Sequence, residues 1–240
     1  MEQLKLSFEL EKNNLPRELD KLLVSFFKAS IQNYSPELFG SLYSKDRSIM
    51  KTYTFGCYLP NAVFQGPNIH LSENRFTVFF SDADLGELIH FYNAFKQMKS
   101  KSYPICSNSM KLVELTMQKR QNITDSEIVV KMQSSLIARR HNAEDNTDEY
   151  YTCDQAEFET VIKENLRYFL NKTGLSVSDE GFSITPVKGK KVVVPVFGRN
   201  TDASIGIYKI TGRPELLTAL YFAGIGSRRS EGHGKFEVLL

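Results

Sequence analysis

Residues 4–10, LKLSFEL, alternate apolar and polar side chains with period two, which predicts a strand with one face buried. Pro16 is expected to open a helix in which Leu19, Leu22, Leu23, Phe26 and Phe27 recur at helical spacing, because a proline in the first turn forfeits no hydrogen bond. Residues 51–59 (KTYTFGCYL) and 69–80 (IHLSENRFTVFF) pattern as two strands. A helix follows over about 85–98, with Leu85, Leu88, Ile89, Tyr92 and Phe95 on one face, and KLVELTMQK (111–119) closes the set as a strand. The order is β-α-β-β-α-β.

After the polar stretch 120–127 the same order begins again. IVVKMQSSLIA (128–138) patterns as a strand, and a helix over about 154–171 carries Phe158, Val161, Ile162, Leu166, Phe169 and Leu170. GFSITPV, KVVVPVFG and ASIGIYKITG pattern as strands joined by hairpins. Pro214 opens a short helix, and KFEVLL ends as a strand. One strand is in excess of the repeat. The expected fold class is α+β, as two tandem ferredoxin-like (RRM-like) domains, 1–122 and 123–240. A single continuous α+β domain is the alternative.

The 240 residues are 41 % hydrophobic and 24 % charged, enough for a packed core and unlike a disordered chain. Apolar runs fall short of the ~20 residues that span a bilayer, and MEQLKLSFELEKNN lacks the layout of a signal peptide. A cytoplasmic protein with no membrane partner is expected. Cys57, Cys106 and Cys153 form no CxxC, and His70, His90, His141 and His233 show no metal-ligand spacing, so no metal site and no cofactor are expected. The net charge of +2 argues for nothing by itself. Its distribution is more informative: Glu144, Asp145, Asp148, Glu149, Asp154, Glu157, Glu159 and Glu164 crowd into 144–164, leaving the rest of the second half basic. A basic face behind an acidic helix suits a polyanion.

AGIGSRRSEGHGKFEV, residues 223–238, holds the clearest signal. Gly224, Gly226, Gly232 and Gly234 let a backbone approach a ligand closely, so that N–H groups can face an anion. Arg228 and Arg229 between them carry guanidinium forks that match phosphate oxygens. A GxGxxG fingerprint would follow a strand and open a helix, whereas this loop follows a helix and enters a strand. A P-loop would need GK followed by Ser or Thr, which is missing. Lys188, Lys190 and Lys191, in VKGKKVV, pattern as a basic hairpin that can grip a nucleic-acid backbone.

GIGSRRSEGHGKFEV resembles the C-terminal glycine-rich signature of the CRISPR-associated endoribonucleases that cut precursor CRISPR RNA within its repeats, the repeat-cleaving branch of the RAMP superfamily. That family most often has Phe where this chain has His233. The doubled topology, KTYTFGCYLP and SSLIARRHNAEDNTDEYY extend the resemblance along the whole chain. It implies metal-independent cleavage: the ribose 2′-OH attacks the adjacent phosphate, leaving a 2′,3′-cyclic phosphate and a 5′-OH. Such chemistry needs a base, an acid and positive charge on the phosphate, on an RNA substrate. CRISPR repeat RNA is the implied partner, with membership of a CRISPR effector complex and a homodimer left open.

Many family members place a catalytic histidine after the first helix, but residues 33–69 here contain none and offer Tyr34, Tyr43, Lys45, Arg47 and Lys51 instead. His141 is the best replacement. In a ferredoxin-like sheet ordered 4-1-3-2 the end of the first strand and the entrance of the last share one edge. In the second domain those positions carry Arg139, Arg140 and His141 opposite Arg228 and Arg229. His233 suits stacking or packing better than catalysis, and His70 and His90 suit structural roles. The catalytic candidates are therefore His141, Tyr43, Lys45 and Lys51. Phosphate contacts are expected from the two arginine pairs and the lysine hairpin. The rival readings are a non-catalytic CRISPR repeat RNA-binding protein and a generic tandem RRM-like protein, the latter disfavoured because no RNP1-type run such as KGFGFV is present.

Overall fold

The computed structural model describes residues 2–44, 49–119 and 122–239. It contains, in chain order, β1 (Glu2–Leu10), β2 (Asn14–Pro16), α1 (Leu19–Tyr34), α2 (Pro36–Tyr43), β3 (Tyr53–Tyr58), β4 (Val63–Gln65), β5 (Asn68–His70), β6 (Arg75–Asp82), α3 (Leu85–Met98), β7 (Ser102–Ile105) and β8 (Asn108–Lys119). There follow β9 (Glu127–Met132), β10 (Ala138–Asn142), β11 (Thr147–Tyr151), α4 (Phe158–Thr173), β12 (Ser183–Val196), β13 (Arg199–Thr211), α5 (Pro214–Ala223), a single 3-10 turn (Arg229–Glu231) and β14 (Phe236–Val238). The residues gather into two compact units. One comprises Met1–Ile49, Gly56–Arg120 and Pro195–Gly198; the other comprises Met50–Phe55, Gln121–Val194 and Arg199–Leu240.

The first sheet runs β3-β6-β1-β8-β7, which is the ferredoxin-like order with a hairpin strand added at one edge. The period-two pattern of β1 puts Leu4, Leu6, Phe8 and Leu10 on one face, all buried. There they meet an aromatic core: Phe8 stacks on Phe76 at 5.0 Å, Phe27 meets Phe80 at 5.3 Å, and Phe80 meets Phe91 at 4.7 Å. Several details depart from what the pattern predicts. Pro16 ends the short strand β2, opposite Asn68, instead of opening the helix, which begins at Leu19. A proline without an N–H is tolerated there because β2 is an edge of its three-stranded sheet. The single strand expected over 69–80 is two, β5 and β6, with the Asn74 side chain and carbonyl both bonded to Leu10 in the break. Helix α2 and strand β7 were absent from the sequence reading. Ser35 caps α2 by accepting from the Leu38 amide at 3.2 Å.

The second sheet runs β12-β13-β9-β14, again the ferredoxin-like order, so the chain is an α+β protein with two tandem ferredoxin-like folds. Ile128 and Val130 of β9, Tyr208 and Ile210 of β13, Val161, Ile162, Leu166 and Phe169 of α4, and the buried α5 form its core. The strand in excess is resolved: GFSITPV and KVVVPVFG belong largely to one strand, β12, of 14 residues. Lys188, Lys190 and Lys191 therefore lie along a strand and not in a turn. The turn falls at Phe197 and Gly198, both at positive φ (47° and 86°), as a two-residue hairpin requires. The strand expected over 128–138 also breaks. It ends at Met132, and only its last residue, Ala138, belongs to β10, which pairs with β11, so Glu144 to Glu149 lie in a hairpin and not on an acidic helix. Among the described residues no helix is long and apolar enough to cross a membrane.

Candidate functional site

Within the second unit, α5 ends at Gly224, whose N–H donates to Leu220, and the chain then folds back through the 3-10 turn into β14. Glycine is required at Gly226, where φ is +82° and a Cβ would stand 2.6 Å from the Ile137 carbonyl oxygen. It is required again at Gly234, at φ +74°, where a Cβ would overlap the Ile225 carbonyl. The N–H groups of Gly224, Gly232 and Gly234 donate to the carbonyls of Leu220, Arg229 and Ser135. These three donors are engaged inside the protein and do not face an anion; what glycine provides is close packing of the loop.

The adjacent arginines part company. Arg229 is 6 % exposed, with its guanidinium 3.5 Å from the centre of the Phe169 ring and its Nη2 donating to the Met50 sulfur at 3.3 Å. Burial pushes it down to about 9, which leaves it charged at neutral pH. It anchors the loop to α4 and is not presented to solvent. Arg228, at φ 58°, reaches out of the loop and donates from Nη1 to both Glu231 oxygens, at 3.1 and 3.2 Å. His233 is 6 % exposed; its Nδ1 lies 2.7 Å from Ser135 Oγ, and its carbonyl accepts from the Thr54 hydroxyl at 3.0 Å. Burial, reinforced by the charge of Arg228, pushes its pKa down to about 4, so it is neutral at pH 7.

The β10–β11 hairpin brings the remaining groups to this loop. Gln133 and Ser134 donate to the Lys235 carbonyl, which turns the chain out of β9, and Ser227 of the loop donates to Ile137. Asn165 of α4 holds β10 by accepting from the Arg139 amide at 3.1 Å and donating to its carbonyl at 2.6 Å. His141 stands directly opposite Asp148, and Arg140 opposite Glu149. Asp148 gathers the cluster: Oδ1 lies 2.8 Å from His141 Nδ1, Oδ2 accepts from Arg139 at 3.1 Å and from the Tyr150 hydroxyl at 3.3 Å, and Arg228 Nη2 is 3.9 Å away. Burial would raise this carboxyl, but the bonds from His141 and Arg139 outweigh it and hold it below its ordinary value. Arg140 turns aside into a two-point contact with Glu164 at 3.0 and 2.7 Å. Of the residues singled out in the sequence, Arg139, His141 and Arg228 thus converge on one carboxylate. Asp148 itself is hidden among the acids of 144–164, and TDEYY has no apolar–polar alternation to mark it as a strand residue.

The description "CRISPR associated protein Cas6, C-terminal" matches residues 116–238, half of the chain, and covers the hairpin, the loop and the sheet that carries them. The chain belongs to the Cas6 family. Its fold is shared by solved structures across the full length. A Cas6-related protein from Pyrococcus furiosus matches with TM-score 0.84 at 14 % identity, over 99 % of this chain and 98 % of that one. A structure described as "An RAMP protein binding different RNA substrates" matches with TM-score 0.83 at 16 % identity over 100 % of both chains. A Cas6 product complex matches with TM-score 0.67 at 14 % identity over 99 % of each. No curated protein matches this Cas6 chain in sequence.

The other candidates of this Cas6 chain lie elsewhere. In the first unit, Tyr43 ends α2 half-buried, its ring 5.4 Å from Phe39 with Lys28 Nζ 5.3 Å from its centre. Tyr34 Oη is 3.5 Å from His90 Nδ1, and both His90 and His70 are exposed. Lys51 belongs to the second unit and is half-buried; Lys45 and Arg47 lie outside the described residues. Lys188 and Lys190 are exposed on β12, and Lys191 pairs with Asp202 at 2.7 Å.

Proposed function

We propose that this Cas6 chain binds CRISPR repeat RNA and cleaves it without metal, by attack of a ribose 2′-OH on the neighbouring phosphate. The O2′–P bond forms, the P–O5′ bond breaks, and the 2′-OH proton is matched by one delivered to the leaving O5′, giving a 2′,3′-cyclic phosphate and a 5′-OH. The observation that carries this is the exposed His141, engaged through Nδ1 by Asp148 beside Arg139 and Arg228. Nε2 is then the nitrogen left to face a proton donor or acceptor, and two guanidinium groups stand near for the charge that builds on the phosphoryl oxygens. The exposed Lys188 and Lys190 extend the cationic surface along the backbone of the RNA.

A second reading, binding without cleavage, also has support. Residues 33–69 hold no histidine, and the RAMP protein of similar fold is described as binding different RNA substrates. One experiment separates the two: the pure protein is incubated in EDTA with its repeat RNA, beside a copy with a 2′-deoxy at the cut. Cleavage of the first alone, ending in cyclic phosphate, is expected. His141→Ala should abolish that cleavage and leave repeat affinity within a few-fold. Tight binding of both RNAs with neither cut would give the second reading the field, and undiminished cleavage by the variant would move the chemistry away from the hairpin.

A further inference from the structure

We propose that Asp148 is the positioning residue of the hairpin site, fixing the His141 ring in the tautomer protonated on Nδ1 so that Nε2 faces the RNA. This rests on the reading of His141 as the proton-transfer group. The pair is set by backbone register, since His141 and Asp148 are directly opposed in the β10–β11 hairpin. Their side chains then meet at 2.8 Å, Nδ1 to Oδ1. A carboxylate can only accept hydrogen bonds, so the proton shared in that contact belongs to the imidazole. A free imidazole exchanges between its two tautomers; one held in this way does not.

The carboxylate is itself held. Arg139 Nη1 reaches both oxygens, at 3.3 and 3.1 Å, the Tyr150 hydroxyl donates at 3.3 Å, and Arg228 comes within 3.9 Å from the glycine-rich loop. At 23 % side-chain exposure Asp148 is far better enclosed than His141 at 43 %, as suits a group that orients another and does not meet substrate. Asp145 in the hairpin turn also interacts with the ring by charge, and Arg139 and Arg228, the latter with its partner Glu231, meet the same Asp148 carboxylate. Asp148 therefore also restrains two guanidinium groups in the free protein. Neutralising it should disorient the histidine and release Arg139, while Arg228 keeps its contact with Glu231.

That coupling gives the test an uncommon signature. In Asp148→Asn the single-turnover cleavage rate is expected to fall about 100-fold, the contribution of one general acid or base. The Kd for repeat RNA should stay level or tighten, because Arg139 is freed. The imidazole 15N shifts of His141, recorded where the ring is neutral, should move from a Nδ1-protonated pattern to a mixture. Asp148→Glu, which keeps the carboxylate, should regain part of the rate. A variant whose 15N pattern is unchanged, or whose tautomer shifts while cleavage stays at the wild-type rate, overturns the proposal. So does a loss of RNA affinity in step with the rate, which would mark Asp148 as scaffold. Failure of the underlying reading looks different: His141→Ala would cleave normally whatever the tautomer data show.

Discussion

His233 stands where the glycine-rich signature it resembles most often has Phe, and its ring is enclosed, with Nδ1 on the Ser135 hydroxyl. It is buried, and burial holds its pKa at about 4 against 6.5 for a free imidazole. Between those values the unfolded chain takes up a proton that the folded chain refuses. The stability this side chain contributes is complete above pH 6.5 and is lost progressively as the pH falls towards 4. His233→Phe should therefore melt at more nearly the same temperature at pH 5 and pH 7 than the wild type does, as thermal denaturation would show. The sequence marked this residue as one for packing or stacking, but not its depth, which depends on Thr54, 179 positions away. The Arg228–Arg229 pair teaches the same lesson. Two identical neighbours offer no sign of which one turns inward; the left-handed backbone at Arg228 sends one to the surface and the other onto Phe169.

At the scale of elements, periodicity is enough for β1, α1 and α4, where one face is buried and the other wet; it places α3 but not its face, since Leu85 and Ile89 are exposed and Phe91 and Ala94 lie in the core. It is not enough where a strand has no buried face. Residues 185–191 of β12 are all exposed, so VKGKKVV carried no alternation to separate it from a turn. The β10–β11 hairpin was missed because its stabilising pairs are polar, Arg139, Arg140 and His141 on one strand against acids and tyrosines on the other. The glycine-rich loop was found by composition, yet its reason is steric. Gly234→Ala should destabilise the protein by about 3 kcal/mol, through a positive φ and a collision with the Ile225 carbonyl. Urea denaturation would measure this, with faster amide exchange over Phe236–Val238. Gly40→Ala supplies the contrast: it sits in α2 with open space around its Cα, and should stabilise by about 0.5–1 kcal/mol.

For the whole molecule, the repeated β-α-β-β-α-β order was legible because each half buries one side of one sheet. The exchanged segments were not: 50–55 cluster with the second unit and 195–198 with the first, through contacts that no local pattern records. Charge belongs to this scale too. A net charge of +2 conceals arginines that are mostly matched by carboxylates, Arg139 by Asp148, Arg140 by Glu164 and Arg228 by Glu231. On the proposed function, affinity for RNA would depend on a few cations that exchange a carboxylate for a phosphate. Arg228→Gln should flatten the slope of log K against log[salt] by about 0.7, the share of one phosphate contact on a single strand. Arg229→Met should leave that slope unchanged and lower the melting temperature instead. Salt titrations of the two variants would separate a cation that meets RNA from one that holds the fold.

The loop from Gly224 to Lys235 is held by Thr54, Ser134, Ser135 and Ile137, all of which leave the ribosome long before it does. A nascent chain can already display the histidine hairpin, but it has no guanidinium from the loop and no β14 to cover the edge of β9. The cluster around Asp148 gains Arg228, and β9 its second neighbour, only when residues 224–238 have emerged.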